Sequence, residues 1–146
     1  MAGGERREDD QRRTDAMEES IGAAHRKIDG LLGETAQALG AGDAAGALKA
    51  FTRLAEALDT HFEQEDHLYY PPIRSLRPEF KTTVDGFVAA HRLFRQDFAE
   101  IGSLLANESL AEAARALERF GQTFALHEAA EEEMLRSLNR TLDVTA

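Results

Sequence analysis

Residues 110–138 read LAEAARALERFGQTFALHEAAEEEMLRSL. Ala113, Leu117, Phe120, Phe124, His127, Glu131, Met134 and Leu138 recur at alternating steps of three and four. This is the spacing of one buried face of an α-helix. Two of the eight positions are polar, and they are successive ones, His127 and Glu131. Burying an unpaired carboxylate costs several kcal/mol or forces it to take up a proton. A stripe that places one in the core therefore predicts a compensating charge, and a multivalent cation is the simplest candidate.

The same pattern continues upstream. One stripe runs Ala47, Phe51, Leu54, Leu58, His61, Glu65, Leu68, and another runs Phe80, Val84, Phe87, His91, Phe94, Phe98, Ile101, Leu105. A looser one runs Ile21, His25, Ile28, Leu32, Thr35, Leu39. Ala, Leu, Glu and Arg dominate, and no run of alternating β-branched residues suggests a strand. The turn signals divide the chain into four helices. The first runs from about Thr14 to Leu39 and ends in Gly40-Ala41-Gly42. Asp43 is placed to cap a second that continues to about Tyr69, where Pro71 and Pro72 stop it. Pro78 suits the first turn of a third, which ends near Asn107. Ser109 with Glu112 forms a capping-box pattern opening the fourth, which runs to about Asn139. Short connections make neighbours antiparallel, so the expected fold is all-α, an up-down-up-down four-helix bundle over residues 14–146. Residues 1–13, charged and nearly free of apolar groups, are expected to form a mobile tail.

The polar core residues share one offset. His25 and His91, His61 and His127, and Glu65 and Glu131 are each 66 residues apart. Ala23-Ala24-His25-Arg26 recurs as Ala89-Ala90-His91-Arg92, and the caps Asp43 and Ser109 correspond. The chain thus reads as two helix hairpins of one design with approximate two-fold symmetry. Each half supplies two imidazoles and one carboxylate, too few to saturate an octahedral ion. Two ions bridged by both carboxylates and a solvent-derived oxygen fit better, with two positions left for water or an exogenous ligand. On softness alone, such donors suit Fe, Mn, Zn or Co.

Composition sets the outer limits. The chain has 146 residues, 42% hydrophobic, with no cysteine and a formal charge of −10. One domain with a real core is expected. Disulfides, thiolate zinc sites and iron–sulfur clusters are excluded. The acidic balance argues against nucleic acid and anionic lipid. No segment approaches the roughly 20 apolar residues of a membrane span, and the N-terminus lacks the apolar stretch of a secretory signal, so a cytoplasmic address is expected. His127-Glu128 is followed by Glu131 where a zinc-protease pattern needs histidine, and no Glu lies three residues before any of the candidate histidines, as a ferritin-type site requires. His67 falls off the inward stripe and reads as a surface residue. Glu63, Asp66, Glu128, Glu132 and Glu133 read as a solvated acidic rim, and Tyr69 as a residue that closes the bundle end.

His25, then His61-Phe62-x-x-Glu65, then His91, then His127-x-x-x-Glu131 resembles the hemerythrin-like family, the HHE cation-binding domain, over roughly residues 15–140. The resemblance implies a non-haem di-iron centre, oxo- or hydroxo-bridged, with His25, His61, Glu65, His91, His127 and Glu131 as ligands and both carboxylates bridging. It implies a small partner: dioxygen, nitric oxide or peroxide. Oxygen-carrying members have a fifth histidine, commonly one turn after the third-helix His, and that position here is Arg95. This four-histidine variant leaves three functions open. It could bind a small ligand for sensing, storage or stress response, act as a redox enzyme on peroxide or nitric oxide, or store and handle iron. No protein partner is indicated.

Overall fold

The computed structural model describes residues 2–144. Met1 of the N-terminal segment and residues 145–146 of the bundle domain lie outside the described residues. Four long helices form the bundle, and no strand occurs among the described residues. Helix α1 spans Ala2–Gly40, α2 Ala44–Gln64, α3 Tyr70–Leu76, α4 Lys81–Ala106 and α5 Leu110–Val144. Helix α1 packs against α2 and α5, and α4 against α5 and α2, which closes the ring around one axis.

The turns follow from local chemistry. The Asp43 carboxylate accepts a hydrogen bond from the Gly46 N–H at 2.9 Å and caps α2. Gly42 takes up the left-handed backbone (φ 70°) that the reversal before it needs. The other hairpin turns at Glu108 (φ 57°), directly before Ser109 and the start of α5.

Two boundaries differ from expectation. Helix α1 begins at Ala2 rather than near Thr14, so the backbone of 2–13 is helical and not irregular. Its Glu, Arg and Gln residues are good helix formers, Arg13 and Asp10 pair one turn apart at 2.6 Å, and Gln11 reaches Asn139 of α5 at 2.9 Å.

The second difference is larger. Pro71 and Pro72 do not end the helix begun at Ala44. Residues 65–69 instead form one turn of π-helix, and the chain continues directly into α3. The Tyr70 N–H donates to the Glu65 carbonyl, five residues back. A proline has no N–H to give and its ring crowds the preceding turn, so a widened turn just before the pair lets the helix proceed. The extra residue shifts the register. Leu68, expected in the core, is 60% exposed, while Tyr70 is 2% exposed.

The core has two parts. Phe51, Leu54, Phe62, Phe94, Ile101, Phe120 and Phe124 pack with their neighbours in the larger one. Ile21, Tyr70, Ile73, Val84, Phe87, Met134, Leu135 and Leu138 form the other. The polar side chains that interrupt the stripes lie between them. Phe124, fully buried, contacts both sides of this polar layer, with its ring centroid 6.4 Å from that of His25 and 6.0 Å from that of His127. Phe124→Ala should therefore lower unfolding free energy by about 3–5 kcal/mol through the cavity it leaves. Denaturant titration of the metal-free protein measures this directly, and a loss below about 1 kcal/mol would contradict the packing described.

Candidate metal centre

The bundle brings all six predicted polar residues to its axis. Each lies on a different turn of α1, α2, the π turn, α4 or α5, and all are buried: Glu65, His91 and Glu131 are wholly so. Donor atoms of His25, His61, Glu65 and Glu131 lie within 4.8 Å of one another, and so do those of Glu65, His91 and His127. Glu65 belongs to both groups.

The contacts are short. His25 Nε2 is 2.9 Å and His61 Nε2 3.9 Å from Glu131 Oε1. His61 Nε2 and His91 Nε2 are each 3.2 Å from Glu65 Oε1. The Nε2 atoms of His91 and His127 approach to 3.2 Å. Six residues from two hairpins thus bring their donor atoms into one small volume. Both nitrogens of His61 and both oxygens of Glu65 are buried without a hydrogen-bond partner. Leaving such groups unsatisfied is expensive, so this donor set fits a cation.

Electrostatics agree. Burial holds His61, His91 and His127 down to about 4, against the pull of Glu131, so these imidazoles are neutral at pH 7 with lone pairs available. Burial also disfavours charge on His25, but hydrogen bonding to Glu131 and Glu132 outweighs it and raises its pKa. Burial pushes Glu65 well above the usual carboxylate range, reinforced by the adjacent Glu131 carboxyl. Glu131 is buried too, yet its polar contacts with Glu65, His25 and Tyr70 favour the ionised form. Without a metal, the two carboxyls share the site by keeping one proton, the usual result for paired acids in a low-dielectric pocket.

Around the donors lies a second ring of acids. His91 Nδ1 is 2.8 Å from Asp66 Oδ1, and His25 Nδ1 is 3.2 Å from Glu132 and 3.6 Å from Glu128. Three residues expected on a solvated rim therefore have another job. Asp66 is part-buried and orients His91 from behind, as carboxylates do behind metal-bound histidines; Glu132 does the same for His25, with the buried Glu128 beside it. Glu63 and Glu133 do stay outside, paired with His67 and with Arg136 and Arg140.

Arg95 sits at the surface, its guanidinium 5.3 Å from the Phe62 ring centroid and within 3.7 Å of Asp59, Glu63 and Asp66. Phe62 in turn stacks on His91, centroids 4.1 Å apart. The Tyr69 hydroxyl meets Ser20 at 2.8 Å and ties the π turn to α1. It is Tyr70 that enters the site, donating a hydrogen bond to Glu131 Oε2. The proline pair after it was the available signal, since a helix running through Pro71 must adjust its register.

The hemerythrin HHE cation binding domain model matches residues 16–138. The chain belongs to the hemerythrin family. Its all-α bundle and its clustered histidines and glutamates are those of a hemerythrin-type cation-binding domain. No curated protein and no solved structure matches the chain. No helix among the described residues is long and apolar enough to cross a membrane.

Two outcomes follow from the geometry of this hemerythrin domain. Removing the acid behind His91, as Asp66→Ala, should weaken metal binding about 10–100-fold with the fold intact, as read by competition with a coloured chelator. Unchanged affinity would mean that the carboxylate plays no part in orienting His91. Metal loading near pH 7 should release protons. Burial favours the protonated form of Glu65 in the metal-free protein, and a cation must displace that proton, so affinity falls as pH is lowered. An indicator-dye titration in weak buffer measures the release, and loading without it would contradict a protonated Glu65.

Proposed function

We propose that this hemerythrin-family domain holds a pair of iron ions and binds a small exogenous ligand, dioxygen, nitric oxide or peroxide, for sensing, storage or stress response. The observation that carries this reading is the overlap of the two donor groups at Glu65, whose buried oxygens have no hydrogen-bond partner. On this reading His25, His61, Glu65 and Glu131 hold one ion, and Glu65, His91 and His127 hold the other. Iron suits a mixed set of imidazole and carboxylate donors. When bound, the pair supplies redox-active, incompletely saturated metal at which a small molecule can coordinate.

The protein's own groups prepare that chemistry. Glu65 and Glu131 supply negative charge between the ions. Asp66 and Glu132 orient His91 and His25 from outside. The phenylalanines packed around His127 and His91 keep bulk water from the axis: Phe87 and Phe94 stand edge-on to His127 at 5.1 and 5.2 Å. One side is less closed. A cavity of about 390 Å³ between α1 and α2 is lined by Ile28, Leu31, Ala57, Thr60 and Gln64 and reaches His61. This size admits a diatomic molecule or peroxide and gives such a ligand a route to the centre.

The test is a ligand titration. Iron-loaded protein, reduced under anaerobic conditions, should change its visible spectrum saturably on addition of nitric oxide or dioxygen, and His61→Ala protein should not. A reduced, iron-loaded protein whose spectrum ignores both ligands would refute the proposed function and leave iron handling as the better account.

A further inference from the structure

The two donor groups are unequal. His25 and His61 are joined by two carboxylates, Glu65 and Glu131, whereas His91 and His127 have only the shared Glu65 as a third. One turn past His91 on α4 stands Arg95, and Asp59, Glu63 and Asp66 hold its guanidinium outward. What stands beside the poorer group instead is Tyr70. Its ring lies 5.8 Å from that of His91, inclined by 21°, and Phe87 packs on it at 5.9 Å. Its hydroxyl donates to Glu131 Oε2, the oxygen that His25 does not engage. The phenol oxygen is thus placed at the Glu131 carboxylate, on a ring that lies beside His91. The π turn puts it there: in an unbroken α-helix Tyr70 would fall off the inward face.

We propose that Tyr70 is a seventh ligand of the centre, its phenolate oxygen joining Glu65, His91 and His127 on the second ion. This rests on the di-iron reading above. Phenolate is a hard oxygen donor, suited to iron in its ferric state. A cation bound against a phenol inverts the preference for the neutral form that burial imposes. The exchange balances simply. The Tyr70 O–H bond is replaced by an oxygen–metal bond, the proton passes to solvent, and no atom is oxidised or reduced. Glu131 Oε2 loses its donor and becomes available as a bridging oxygen. Tyr70 thereby supplies from the start of α3 a donor that α4, with arginine at position 95, does not.

The deciding experiment is resonance Raman and visible absorption of the full chain loaded with iron and oxidised. A phenolate-to-iron(III) charge-transfer band with enhanced tyrosinate ring modes is expected. Tyr70→Phe should lose the band while retaining its iron, and Tyr69→Phe, whose hydroxyl faces Ser20, should keep it. Wild-type protein that binds iron but shows no tyrosinate modes overturns the proposal without recourse to any variant, and so does a band that survives in Tyr70→Phe. Protein that takes up no iron overturns the centre itself and this ligand with it, an outcome that elemental analysis of the same sample separates from the other two.

Discussion

Glu65 and Glu131 have no exposed surface, and they face one another across the axis of a bundle whose other core positions are mostly aliphatic or aromatic. Two carboxylates in that position repel and are starved of solvent. Either one keeps a proton or a positive charge is placed between them. Much else in the structure answers this constraint. Four imidazoles surround the pair, three of them held neutral by burial, a tyrosine hydroxyl donates to one carboxylate, and buried polar atoms of His61 and Glu65 are left without a hydrogen-bond partner.

The design carries the cost of a polar layer by flanking it. Phenylalanines from α2, α4 and α5 stack on or abut the histidine rings, so the imidazoles pack as core residues would. Behind the rings, acids at the bundle surface fix which nitrogen faces inward. The chain Arg95–Asp66–His91 shows how far this reaches: a surface arginine, paired with a part-buried aspartate, bears on the orientation of a wholly buried imidazole. Such layered support keeps donor geometry in place before any ion arrives, which limits the ordering that binding must impose.

Much of this was legible in the sequence. The three–four spacing of apolar residues located the helices, and the 66-residue offset tied His25, His61 and Glu65 to His91, His127 and Glu131 as equivalent sets. All six do meet in the fold. What the sequence concealed lies in two places. Asp66, Glu128 and Glu132 look like surface charge because they neighbour exposed positions, and only the packing of α1 and α4 against them brings histidine nitrogens within reach. Tyr70 was hidden by register. Counting three and four from Glu65 lands on Leu68 and Tyr69, and only the wide turn before Pro71 moves the inward position to residue 70. Periodicity assumes an unbroken α-helix, and it fails where the helix departs from one. The N-terminal segment misled for another reason: a helix can extend on propensity and surface pairs without an apolar stripe to betray it.

The central claim is that the paired carboxylates are matched by a pair of cations. Elemental analysis of protein produced in iron-rich medium, read together with its near-ultraviolet spectrum, tests it most directly. The account predicts about two irons per chain with oxo-bridge absorption, as expected for a shared donor set of this kind. A single zinc per chain, or no bound metal after the protein has been offered iron, would contradict it and would mean that Glu65 and Glu131 are accommodated by a shared proton alone.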